Sequence, residues 1–124
     1  MFETKDLIIK KGVQSDWRDM YYNLWRHEES ARYMFWNITT SEEEAKARME
    51  RTVVFQQKHE FTWLIYEKKS GQAIGFTGLE IIEPEVVHEE GIALGPDFVN
   101  KGYGTQVLEV LMEFAGSKTY NPQS

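Results

Sequence analysis

The chain has 124 residues, 41% of them hydrophobic, which suits one soluble domain with its own core. It contains no cysteine, so disulfides, zinc–thiolate sites and thiol nucleophiles are excluded, and a cytoplasmic location is the expectation. The net charge of −6 argues against a nucleic-acid backbone as partner, no apolar run is long enough for a membrane span, and the N-terminus lacks a secretory pattern.

Taken in chain order, Asp6–Lys10 (DLIIK) predicts a short strand. Ser15 is then placed to cap a helix, with Asp16 and Asp19 near its positive end. Trp17, Met20, Tyr21, Leu24 and Trp25 follow the spacing of one buried helical face. Tyr33, Met34, Phe35 and Trp36 form an aromatic stretch that either closes the core or borders a pocket. Ser41 and Glu44 make a capping-box pattern that opens a second helix running to about Lys58, with Ala45, Met49, Val53 and Gln56 on one face. His27-Glu28-Glu29 hints at a zinc-protease HExxH, but Ala31 stands where the second histidine would be, so no metal site is expected. His59 is expected as a helix-end cap.

The period then shifts from helix to strand. Residues 61–67, the turn KSG and residues 73–82 predict a hairpin, and 86–95 a third strand after Glu83-Pro84-Glu85. The stretch VNKGYGTQVLEVLMEFA (99–115) comes next. Val107, Val110, Leu111, Phe114 and Ala115 give its core face, and Gly116 is the expected stop. The order β-α-α-β-β-β-α is an α+β layout. It divides into a domain at 1–116 and a tail at 117–124.

A glycine turn between a strand and a helix start presents unpartnered amides and the positive end of the helix dipole. Gly102 and Gly104 therefore either cradle an anion such as a pyrophosphate or only shape the connection. No Walker A pattern is present, and the three-glycine dinucleotide fingerprint is absent. Among His88, Glu89 and Glu90, strict strand alternation sets Glu89 on the face opposite its neighbours, and the three serve either as a base or as solvated strand residues.

LGPDFVNKGYGTQVLEVL (94–111) resembles motif A of the GNAT acetyl-CoA-dependent N-acetyltransferases, Q/R-x-x-G-x-G/A, with Gly102 and Gly104 at its glycine positions. Tyr103 and Thr105, and EEGIALGPDF (89–98) before them, are similar to the ribosomal-protein N-terminal acetyltransferase branch. DLIIKKG, TTSEEEAKARM and AIGFTGL fall in that branch's order. Val99 departs from the pattern, standing where Gln or Arg is usual.

The resemblance implies a mixed, mainly antiparallel sheet flanked by helices, and acetyl-CoA as co-substrate. It implies that the pantetheine arm pairs with Ile92, Ala93 and Leu94, and that the pyrophosphate meets amides of Asn100, Lys101, Gly102, Tyr103, Gly104 and Thr105. An amine acceptor, a protein N-terminal α-amine or a small-molecule amine, would attack the thioester directly. Glu89 is the first choice of base and Glu90 the second, while Tyr33 and Trp36 are candidates to line the acceptor pocket. The family fold continues beyond this last helix, so the chain reads as a C-terminally truncated copy with no general acid to assign. An uncovered sheet edge would favour a homodimer or a segment-exchanged oligomer. The alternative reading is a catalytically incomplete fragment that binds CoA or associates with itself.

Overall fold

The computed structural model describes residues 1–27, 39–83 and 86–119, excepting the side chains of 79–91 and 115–119. Five strands form one antiparallel sheet in the order β1-β2-β3-β4-β5: β1 (Phe2–Glu3), β2 (Leu7–Lys10), β3 (Thr62–Glu67), β4 (Ala73–Glu83) and β5 (Val86–Leu94). The helices are α1 (Trp17–Met20), which continues as a π-helical turn at Tyr21–Trp25, then α2 (Glu42–Lys58) and α3 (Tyr103–Thr119).

Strand alternation sends neighbouring residues to opposite faces, and the sheet uses both. Leu7, Ile9, Trp63, Ile65 and Ile74 pack with Tyr103, Val107 and Leu111 of α3. Leu64, Tyr66, Ala73 and Ala93 pack on the other face with Met20, Leu24, Trp25, Ala45 and Met49. Every residue of β3 is buried, because helices cover the middle of the sheet on both sides. Each fully buried Leu or Ile contributes about 1.5–3 kcal/mol, so these two clusters carry the fold.

The expected face of α2 is buried as its spacing requires, with Val53 packed at the margin. Its cap is also formed: Ser41 Oγ accepts from the Glu44 amide at 3.1 Å. The return half of the capping box moves back one residue, since Glu44 Oε1 accepts from the amide and hydroxyl of Thr40. At the end of α2, His59 donates its amide to Phe55 O at 2.9 Å and stacks its ring on Phe55.

Two local expectations are corrected, and one strand is added. Ser15 does not cap the first helix; it lies inside a 3-10 turn, Gln14–Asp16, where Asp16 Oδ2 accepts from the Val13 amide at 2.9 Å. Strand β1 was too short to register as an alternating pattern. Helix α3 runs through Gly116 to Thr119, because a glycine inside a helix costs only about 1 kcal/mol and does not by itself stop one.

Two glycines hold the sheet and helices at close range. A Cβ on Gly75 would lie 2.0 Å from Ala93 O, and one on Gly95 would lie 2.0 Å from Asn23 O. Gly95 therefore fixes how near the π-helical turn approaches the end of β5.

Candidate functional site

The chain leaves β5 at Leu94, makes a 3-10 turn at Pro96–Phe98, and enters α3 at Tyr103. Two left-handed positions help make this reversal: Asn100 at φ 62° and, two residues on, Gly102 at φ 79°. Asparagine is among the few residues that tolerate that region, and glycine enters it without steric cost. The first helical bond runs from the Gln106 amide to Gly102 O at 3.2 Å. The amides of Tyr103, Gly104 and Thr105 thus occupy the three helix positions that have no intrahelical acceptor. A Cβ at Gly102 or Gly104 would meet nothing within 4 Å, so open space lies beside this backbone. The arrangement fits an anionic group seated on the start of a helix.

This helix start is fastened to the sheet. Tyr103 is buried, and its hydroxyl donates to Glu67 Oε2 at 2.7 Å. The hydrogen bond to Glu67, reinforced by burial, pushes the Tyr103 phenol up to about 12. Burial raises the Glu67 carboxyl, but hydrogen bonds from Tyr103 and Ser70 and the charges of Lys101 and Lys69 outweigh it and hold the group below its ordinary value. One turn later Gln106 Nε2 donates to Asp6 Oδ2 at 2.8 Å while its Oε1 accepts from Thr4 Oγ1. Helix α3 is therefore fixed at its first turn to β3 and to the β1–β2 connection.

Strand β5 pairs with β4 as Gly75↔Leu94, Phe76↔Ala93, Thr77↔Ile92 and Gly78↔Gly91, and the next pair is Leu79↔Glu89. Glu90 is the extra residue of a β-bulge. Bulges bend a strand and re-aim the residues beyond them. The two-residue alternation expected across His88–Glu90 does not run unbroken through this point. Among the described residues β5 is the last strand of the sheet, with pairing on one side only.

On the opposite face from α3, between α2 and strands β3 and β4, lies a cavity of about 460 Å3. Arg48 and Arg51 of α2, Trp25, Phe55, Leu64 and Phe76 are among its walls. Arg48 Nη1 donates to Thr39 Oγ1 at 3.0 Å, and its guanidinium lies 4.6 Å from the centre of the Trp25 ring. Burial, with a smaller part from Arg51, pushes the Arg48 guanidinium down to about 10, which leaves it charged at neutral pH. Trp25 is 1% exposed, and among the described residues its indole Nε1 has no hydrogen-bond partner. No aspartate or glutamate lines the cavity among the described residues.

The family profile of the acetyltransferase (GNAT) domain matches residues 6–121. The chain belongs to the GNAT acetyltransferase family. No curated protein matches it by sequence. Among solved structures, a GCN5-related N-acetyltransferase from Brucella melitensis superposes with a TM-score of 0.78 at 15% identity, over 96% of this chain and 55% of that one. RimL, described as a ribosomal L7/L12 alpha-N-protein acetyltransferase and solved in complex with coenzyme A, gives 0.62 at 18% identity, over 90% and 64%. MccE, a microcin C7 self-immunity acetyltransferase solved with acetyl-CoA and AMP, gives 0.68 at 14% identity, over 94% and 66%. These likenesses show a shared fold, and the chain spans between 55% and 66% of the length of the three structures.

The residues expected from the GNAT motif fall into three groups. Ile92 and Leu94 pack against the α3 side of the core, whereas Ala93 is buried on the other face, so only their backbone edge is open to a ligand. Asn100, Lys101, Gly102 and Thr105 are exposed and Gly104 is half-buried, around the helix start; Tyr103 turns its ring into the core and brings only its amide there. Glu89 and Glu90 stand at the bulge of β5, with their side chains outside the described residues, and Tyr33 and Trp36 lie outside them altogether. Sequence patterning alone did not mark Arg48, Arg51 and Trp25 as cavity walls. Arg48 and Arg51 sit in the polar run EEEAKARMERT, which reads as a solvated helix, and only a helical-wheel comparison with buried Met49 and half-buried Thr52 hints at their side. Among the described residues no helix is long and apolar enough to cross a membrane.

Proposed function

We propose that this chain acts as an N-acetyltransferase, moving an acetyl group from acetyl-CoA to a primary amine by direct attack. The observation that carries the reading is the left-handed Gly102 turn opening onto the unpartnered amides of α3, in a chain of this family. Acetyl-CoA supplies the activated thioester. The amides of Tyr103, Gly104 and Thr105 would receive its pyrophosphate, with the helix dipole adding about half a positive charge. The open edge at Ile92–Leu94 offers backbone donors and acceptors to the pantetheine arm, and an amide near Leu94 would polarise the thioester carbonyl. Glu89, or Glu90 at the bulge, is assigned as the base that takes the proton from the acceptor ammonium. A protein N-terminal α-amine, the kind of acceptor named for RimL, is one candidate acceptor, and a small-molecule amine is the other. Self-association, as a homodimer or by exchange of segments, and a cytoplasmic location complete the proposal.

The test is release of free thiol from acetyl-CoA in the presence of a panel of peptides and small amines. The reading expects amine-dependent release and a rise in melting temperature with CoA alone. No release with any amine, together with an unchanged melting temperature, would overturn it.

A further inference from the structure

We infer that Gln106, clipped to Thr4 and Asp6, is a positioning residue for the donor site: its carboxamide sets the direction in which the amides of Tyr103, Gly104 and Thr105 face a pyrophosphate, and the affinity for CoA depends on that clip. This rests on the acetyltransferase reading above and names a residue outside the motif positions that its donor site needs.

Gln106 is the first residue of α3 whose amide finds an intrahelical acceptor, Gly102 O, so its side chain leaves the helix directly after the three open amides. Its carboxamide is used at both ends. Oε1 accepts from the Thr4 hydroxyl and from the Asp6 amide at 3.2 Å, and Nε2 donates to Asp6 Oδ2 at 2.8 Å. Two donors meet the oxygen and one acceptor meets the amino group, so a single orientation of the amide satisfies all three bonds. The receiving turn is itself closed. Thr4 Oγ1 accepts from the Leu7 amide at 3.0 Å, and the Thr4 amide donates to Leu7 O at 2.9 Å.

The same β1–β2 hairpin touches α3 a second time. The Phe2 ring packs edge-on against Phe114 at 4.7 Å and against Trp63 at 5.1 Å. Gln106 and Phe114 lie about 12 Å apart along the helix axis. Two such contacts on one hairpin hold the axis, while the Tyr103–Glu67 bond ties the helix to β3. The amides of a helix start point along that axis, so a tilt of α3 redirects all three together. Donors of a preorganised site must be held within about 0.5 Å of their working geometry. Without the carboxamide the first turn keeps Tyr103 as its tie and can pivot about it.

The experiment is calorimetric titration of the whole chain with CoA, well below the melting temperature of each variant. Gln106→Met keeps the length of the side chain and removes all three bonds; its Kd for CoA should rise about tenfold. The exchange Asp6→Asn with Gln106→Glu moves the carboxylate to the helix and the amide to the hairpin at constant net charge, and should recover most of the affinity that Gln106→Glu alone loses. Thr4→Val, outside the helix, should give a smaller loss and serves if Gln106→Met does not fold. Variants that melt earlier than the parent yet bind CoA equally well would make the clip merely structural and overturn the inference, as would a folded exchange variant that recovers nothing. A parent chain that binds no CoA would instead overturn the acetyltransferase reading, and this inference with it.

Discussion

Alanine at Gly102 and alanine at Gly104 should change stability in opposite directions, although the two positions are separated by one residue. Neither Cβ would touch anything within 4 Å, so packing drops out of the comparison. What differs is the backbone. Gly102 is at φ 79°, where a Cβ costs about 1–2 kcal/mol, and the reduced freedom of the unfolded chain returns about 0.4–1 kcal/mol of that. The net is a loss of about 1 kcal/mol. Gly104 lies inside α3 with an ordinary helical φ, where alanine is favoured over glycine by about 0.8–1 kcal/mol. The two variants should therefore differ by about 2 kcal/mol. For a chain of this size that corresponds to about 8 °C in melting temperature. Thermal and urea denaturation followed by circular dichroism would measure it. Equal stabilities, or a Gly102→Ala protein at least as stable as the parent, would refute the left-handed turn and with it the geometry of the cradle.

Tyr103→Phe removes a hydrogen bond to a buried carboxylate and should cost about 2 kcal/mol at pH 7, read from urea midpoints. Because the folded Glu67 carboxyl titrates below its unfolded value, its contribution is present above that value and fades as pH falls through the folded one. The cost of Tyr103→Phe should accordingly shrink on acidification to about pH 3, and a cost independent of pH would contradict the assignment. At the alkaline end the raised Tyr103 phenol reverses the sign: its contribution is complete below the unfolded value of 10 and is lost as pH climbs toward about 12. Gly95→Ala would drive a Cβ to 2.0 Å from Asn23 O, a backbone atom that cannot rotate away. Its cost should be about 4 kcal/mol or more, seen as loss of a cooperative melt.

Much of the fold was legible in the sequence because its signals are local. The capping residues Ser41 and Glu44 set the start of α2, and the switch from helical to alternating spacing placed β3, β4 and β5 within a residue or two. The glycine turn was legible as well, since φ values near +80° are almost confined to glycine. What stayed hidden depends on tertiary partners. The bulge at Glu90 arises from how β5 registers on β4, and no residue type announces it. Arg48 reads as a surface residue until Trp25 and Thr39 are brought beside it, and the burial of the Tyr103 ring depends on Glu67, which lies far away in the chain.

The central claim is that the start of α3 is the anion seat of the donor site. Backbone amide shifts of Tyr103, Gly104 and Thr105 during a titration with CoA test it most directly. The account predicts that these three resonances move together and saturate, and that added salt weakens the response. CoA binding that leaves them in place while other amides move, or no binding at all, would contradict it.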